Sequence, residues 1–143
     1  MPRSGAAGLV LSGALLAGCT TLGGGPSIGL PGASGSSAVQ ATIIAQMKGG
    51  LIGGPIGEDL SGDEKARALE AEYRALEYTP AAQKVAWSGE SPARRGEVVA
   101  AQPYRVGAQD CRQYKQTVFT EKGSRTARGA ACRNPDGSWT PLD

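Results

Sequence analysis

One stretch of the chain carries a helical period. Ala66, Leu69, Tyr73 and Leu76 recur at three- and four-residue steps, while Asp63, Glu64, Lys65, Glu70, Glu72, Arg74 and Glu77 fall on the other faces. Ser61 and Glu64 have the spacing of a capping box, and Thr79-Pro80 closes the segment, so the pattern predicts a helix from about Gly62 to Tyr78. Downstream the period shortens to two. Lys84 to Ser88 places Val85 and Trp87 on one face, Gly96 to Arg105 is a longer β-rich run interrupted by Pro103, and Cys111 to Phe119 puts Tyr114 and Val118 together. Thr126 to Arg133 follows the turn residues Glu121-Lys122-Gly123-Ser124. Asn134-Pro135-Asp136-Gly137 then signals a turn before a last short strand at Ser138-Trp139-Thr140. The expectation is an α+β fold, with one amphipathic helix packed on a four- or five-stranded antiparallel sheet.

Upstream of Ser61 the pattern dissolves. Thr20 to Ser37 is rich in Gly, Ser, Pro, Ala and Thr, too poor in large side chains to offset its ordering entropy, and is expected to be a disordered tether. Residues 38–57 start as a short apolar helix and run into a glycine-rich stretch. There Gly49, Gly53 and Gly57 repeat every fourth residue, in the manner of a glycine zipper. Lys48 and Pro55 interrupt that pattern, and a flexible or weakly helical segment near a bilayer is the competing reading.

At the start, Arg3 precedes an uncharged apolar run from Gly5 to Ala17, the layout of a secretory signal peptide. It ends in Leu16-Ala17-Gly18-Cys19, which resembles a bacterial lipobox. The resemblance implies removal of residues 1–18, a diacylglycerol and an acyl chain on Cys19, and no other cofactor. It also implies handling by lipoprotein-processing and sorting machinery, and Thr20, being no aspartate, favours the outer membrane over the inner. The expected organisation is a signal peptide at 1–18, a tether at 19–37, a glycine-rich segment at 38–57 and a folded domain at 58–143. The 125 residues left after cleavage suffice for one small domain.

Cysteine arithmetic follows from the lipid. With Cys19 acylated, Cys111 and Cys132 remain to pair in an oxidising periplasm. If their strands form an antiparallel hairpin turning at Glu121-Lys122, residues whose numbers sum to 243 face each other, and these two cysteines are such a pair. A metal site is disfavoured because the chain has no histidine.

Charge changes the picture modestly. From Thr20 to Pro80 four basic residues stand against seven acidic ones, and from Ala81 to Asp143 ten stand against six. A mildly basic second half leaves peptidoglycan or lipopolysaccharide as candidate partners, beside the outer-membrane lipid itself, and nothing points to nucleic acid. An envelope glycan-binding or hydrolase-inhibitor module is the alternative reading, with Trp87, Arg112, Tyr114 and Trp139 as its ligand surface and Tyr104, Arg105, Arg128 and Arg133 beside them. Filling a small core is the competing role for these rings. An enzyme is not expected, because the chain has no histidine base and no Gly-x-Ser-x-Gly or phosphate-cradling glycine motif.

The glycine-rich segment ending at Gly57, the charged helix with Ala68-Leu69, Trp87-Ser88-Gly89, Cys111-Arg112-Gln113-Tyr114, Ala131-Cys132-Arg133 and Asp136-Gly137-Ser138-Trp139 together resemble the 17 kDa surface antigen family of bacterial outer-membrane lipoproteins. That resemblance implies an envelope-structural or surface-antigen role at the cell outer membrane, facing either the periplasm or the exterior. It supplies no catalytic residue.

Overall fold

The computed structural model describes residues 41–142 except residue 43. Its helix α1 spans Gly62–Glu77, and its six strands are β1 (Lys84–Ser88), β2 (Arg95–Ala100), β3 (Tyr104–Val106), β4 (Gln109–Thr120), β5 (Gly123–Arg133) and β6 (Trp139–Leu142). They form one antiparallel sheet in the order β1-β2-β4-β5-β6, with β3 paired to the start of β4. The sheet has one strand more than the sequence reading allowed. Pro103 lacks an amide hydrogen, so the run from Gly96 to Arg105 divides at 101–103 into β2 and β3.

The capping box forms as the sequence predicts: Glu64 N donates to Ser61 Oγ at 3.3 Å and Ser61 N donates to Glu64 Oε2 at 3.0 Å. The buried face of α1, however, is turned from the expected stripe. Ala66 is exposed and Leu69 half-buried, whereas Glu64, Ala68, Ala71, Glu72, Ala75 and Leu76 are buried with Tyr73. Two glutamates assigned to solvent therefore point inward. Their burial is tolerable only because each carboxylate finds backbone amide donors.

Alternation sorts the strands into two faces. Val85 and Trp87, Gly96, Val98 and Ala100, then Arg112, Tyr114, Gln116 and Val118 lie on the covered face and are buried. Trp87 sits opposite Gly96, where a Cβ would run into the indole at 2.6 Å. Helix α1 packs across β1, β2 and β4.

The rest of that face is covered by the glycine-rich segment. Lys48, Gly49 and Gly50 all have positive φ, and the chain then makes two 3-10 turns, Leu51–Gly53 and Pro55–Gly57. Gly49, Gly53 and Gly57 therefore do not line one face of a continuous helix. Left-handed backbone breaks the i to i+4 ladder, and Pro55 opens the second turn at a position where its missing donor costs nothing. Gly57 approaches the Ile52 carbonyl so closely that a Cβ there would collide with it. Met47, Ile52 and Ile56 join the core with Leu60, so the folded core begins upstream of residue 58, the expected boundary.

The hairpin of β4 and β5 has the register the numbering predicts, with Cys111 opposite Cys132 and no bulge. The two are joined by a disulfide that closes a separation of 21 residues, worth roughly 3 kcal/mol in a loop of that size.

Candidate functional site

Leu16, Ala17, Gly18 and Cys19 lie outside the described residues, as does the tether. Cys111 and Cys132 are buried in their disulfide and serve the fold. Among the described residues no group of three or more His, Cys, Asp or Glu side chains could hold a metal ion, and no helix is long and apolar enough to cross a membrane.

The aromatic and basic surface expected from Trp87, Arg112, Tyr114 and Trp139 does not exist as a surface. All four side chains are buried, because their strand positions fall on the covered face. Arg112 is a clamp on the C-terminal end of α1. Its Nη1 donates to the carbonyls of Ala75 (2.9 Å), Leu76 (2.8 Å) and Thr79 (3.0 Å), and its Nε donates to that of Ala101 (2.8 Å). The carbonyls of Ala75 and Leu76 are ones that the helix end leaves without intrahelical partners, and a cation there also suits the helix dipole. Burial lowers the pKa of this guanidinium from its usual value. Trp139 donates through Nε1 to Glu77 Oε2 at 2.8 Å, and Arg133 grips the same carboxylate with two 2.8 Å bonds. Those bonds, opposed by partial burial, hold Glu77 below the ordinary carboxylate range.

The two buried glutamates are the polar centre of the molecule. Glu64 accepts from the amides of Ser61 and Glu90, both at 3.0 Å, and from Arg94 Nη1 at 2.7 Å. Burial opposes its charge, but the amides and then Arg94 outweigh it and keep the carboxyl below its usual pKa. Glu72 is different. It accepts from Leu51 N at 3.0 Å and Ile52 N at 2.9 Å, so it holds the first 3-10 turn of the glycine-rich segment by its free amides. The Gln116 amide, oriented with its nitrogen toward Glu72, donates to this carboxylate while its oxygen accepts from Trp87 Nε1 at 3.2 Å. No cation among the described residues neutralises Glu72, and burial pushes its pKa up to about 7 despite the two amides. The Tyr114 hydroxyl is buried beside it, and its proton, like the two amides, works to lower the Glu72 pKa against burial. This constellation fastens α1, β4 and the glycine-rich turns together.

The open face of the sheet offers an accessible concavity. A groove of about 740 Å³ is lined there by Val99, Gln102, Gln113, Lys115, Arg128 and Ala130, with Ala81 and Ala82 at its wall. Ala82 N donates to Ala100 O at 2.9 Å and Ala101 N to Gln113 O at 2.8 Å, which pins that wall to the sheet. Of the basic residues expected at a ligand surface, Arg105 is paired with Asp110 and Arg133 with Glu77, and only Arg128 faces the groove unpaired. Lys115 stands directly opposite it and was missed. Its numbers with Arg128 also sum to 243, so the register that paired the cysteines contained this pair as well.

Comparison with known proteins supplies a family context. Residues 74–140 match the model of a family described as 17 kDa outer membrane surface antigen. The chain is 34% identical over 85 residues to the 17 kDa surface antigen of Rickettsia bellii strain RML369-C, covering 59% of this chain and 54% of that protein. It is 40% identical over 80 residues to the antigen of Rickettsia felis and 37% over 79 residues to that of Rickettsia prowazekii Madrid E, each covering 54% of this chain and 50% of the relative. The chain thus spans about half the length of the curated relatives it matches. No solved structure matches it.

Proposed function

We propose that the protein, whose residues 74–140 match the model of the 17 kDa outer membrane surface antigen family, is a lipid-anchored, non-enzymatic component of the bacterial outer membrane with an envelope-structural or surface-antigen role. The observation that carries the reading is the division of the three cysteines. Cys111 and Cys132 are consumed by a disulfide on β4 and β5, which leaves Cys19, directly after Leu16-Ala17-Gly18, as the thiol available for diacylglycerol. A disulfide of this kind persists in an oxidising compartment such as the periplasm, in keeping with export. The family description, outer membrane, agrees with the absence of an aspartate at position 20. On this reading the immediate partners are the outer-membrane lipid and the lipoprotein-processing and sorting machinery, and the domain needs no cofactor beyond its covalent acyl groups. The lack of histidine anywhere in the chain supports a non-enzymatic role.

Intact mass of the mature protein extracted from membranes, with and without reductant, tests this directly. The expected species begins at Cys19, carries acyl mass and gains about two daltons on reduction as two thiols form. A mature chain without acyl mass would overturn the anchor, and an unchanged mass on reduction would remove the argument from cysteine division.

A further inference from the structure

Across the open face of the sheet a single row runs Lys84, Val99, Lys115, Arg128, each directly opposite the next on neighbouring strands. The first cation is engaged, since Lys84 Nζ lies 2.9 Å from Glu97 Oε2. Glu97 is the one carboxylate on this face among the described strand residues, so the acid nearest the groove is already taken. Arg95, two rows away on the same face, lies over the Phe119 ring at 4.7 Å. Lys115 and Arg128 are left facing each other with no ion pair or hydrogen bond among the described residues. Like charges directly opposed across an antiparallel pair destabilise a sheet, so this arrangement is a local conflict that an anion between them would relieve.

We propose that the groove binds a phosphorylated saccharide, with its phosphate between Lys115 and Arg128. A phosphomonoester carries close to two negative charges near pH 7, matching two cations, whereas a carboxylate would neutralise only one. Arginine presents a fork that fits phosphate oxygens and lysine adds a point charge. The remaining lining suits a sugar. The Gln102 and Gln113 amides offer donors and acceptors for hydroxyls, and Val99 with Ala130 gives a small apolar floor for a ring's C–H face. The volume, about 740 Å³, lies inside the range of small-ligand sites and exceeds what a bare phosphate would fill. Lipid anchoring is not a premise of this site, and its failure would leave the groove unchanged.

The test is titration of the purified full chain with glucose 6-phosphate, followed by calorimetry and by amide chemical shifts, beside glucose, glucuronate and inorganic phosphate. Saturable binding of glucose 6-phosphate is expected, with shifts at Val99, Gln113, Lys115 and Arg128, and no saturable binding of glucose. The double variant Lys115→Gln/Arg128→Gln should weaken binding at least fivefold while melting no earlier than the parent, since it removes a repulsion. Arg74→Gln, which loses a charge on the exposed side of α1, should leave affinity unchanged. Glucuronate binding as tightly as glucose 6-phosphate would overturn the phosphate assignment, and inorganic phosphate binding as tightly would overturn the saccharide. Absent saturation, or equal weakening by Arg74→Gln, would remove the site.

Discussion

Arg112 shows how a residue that reads as surface chemistry can be structural. Four carbonyl oxygens converge on its guanidinium, three of them from the end of α1 and the segment that follows. Hydrogen bonds from a buried cation are stronger than neutral ones, and removing the donor leaves those carbonyls without partners. Arg112→Met should therefore cost about 3 kcal/mol of unfolding free energy, read from denaturant melts, with the far-UV signal of the native state retained. Glu72 gives a pH dependence of definite sign. Its pKa rises from the ordinary 4.5 to about 7 on folding, so between these values the folded chain keeps a proton that the unfolded chain has lost. Stability from this group is full below about pH 4.5 and is lost as pH rises through 7, on the order of 3 kcal/mol in all. Asp59, Glu64, Glu77 and Asp136 act oppositely, since their lowered values make stability fall as the solution is acidified. Glu72→Gln should remove the decline between pH 4.5 and 7 while the acid limb persists, as measured by unfolding free energy at several pH values. An unaltered decline would show that another group carries it.

At the scale of elements, the glycine-rich turns behave as part of the domain. Leu51 packs against Gly129 of β5, Ile52 is buried, and the amides of both are held by Glu72 from α1. Gly50 makes this junction possible. Its φ is 57°, and a Cβ there would run into the Glu72 carboxylate and Leu69. Gly50→Ala should destabilise by roughly 2 kcal/mol and raise proteolytic cleavage within residues 47–57, whereas Gly62→Ala, with nothing within 4 Å, should do neither. The hairpin of β4 and β5 is legible in the sequence because a two-residue turn at Glu121-Lys122 fixes the pairing along its length. The same register sets Lys115 opposite Arg128, but no local pattern marks Lys115, since a lone cation is the ordinary occupant of a solvated strand face.

Across the described residues, the arrangement is a one-sided sheet. Helix and glycine-rich turns cover one face, and the other carries the groove with its opposed cations. If Cys19 carries the lipid, Cys19→Ser should shift the protein from the membrane pellet to the soluble periplasmic fraction, with the same melting temperature for the domain. Wild type in the soluble fraction would contradict the anchor. Since acyl groups act through burial of methylenes in the bilayer, the shift should be nearly complete.

The sequence alone determined what local rules govern. The capping box and its helix follow from hydrogen bonds within four residues, the strands from alternation, and the hairpin register from a short turn. Pairing of Cys111 with Cys132 followed from that register. Tertiary structure alone decided which polar residues could be buried. Glu64 and Glu72 read as solvent-facing because periodicity ranks them by hydropathy, yet each meets amides from segments about 20 to 30 residues away that no local pattern announces. It also decided that Trp87, Arg112, Tyr114 and Trp139 face inward and that the glycine repeat folds as turns on the sheet. Those outcomes depend on which face of the sheet is covered, and by which part of the chain, a choice set by long-range packing.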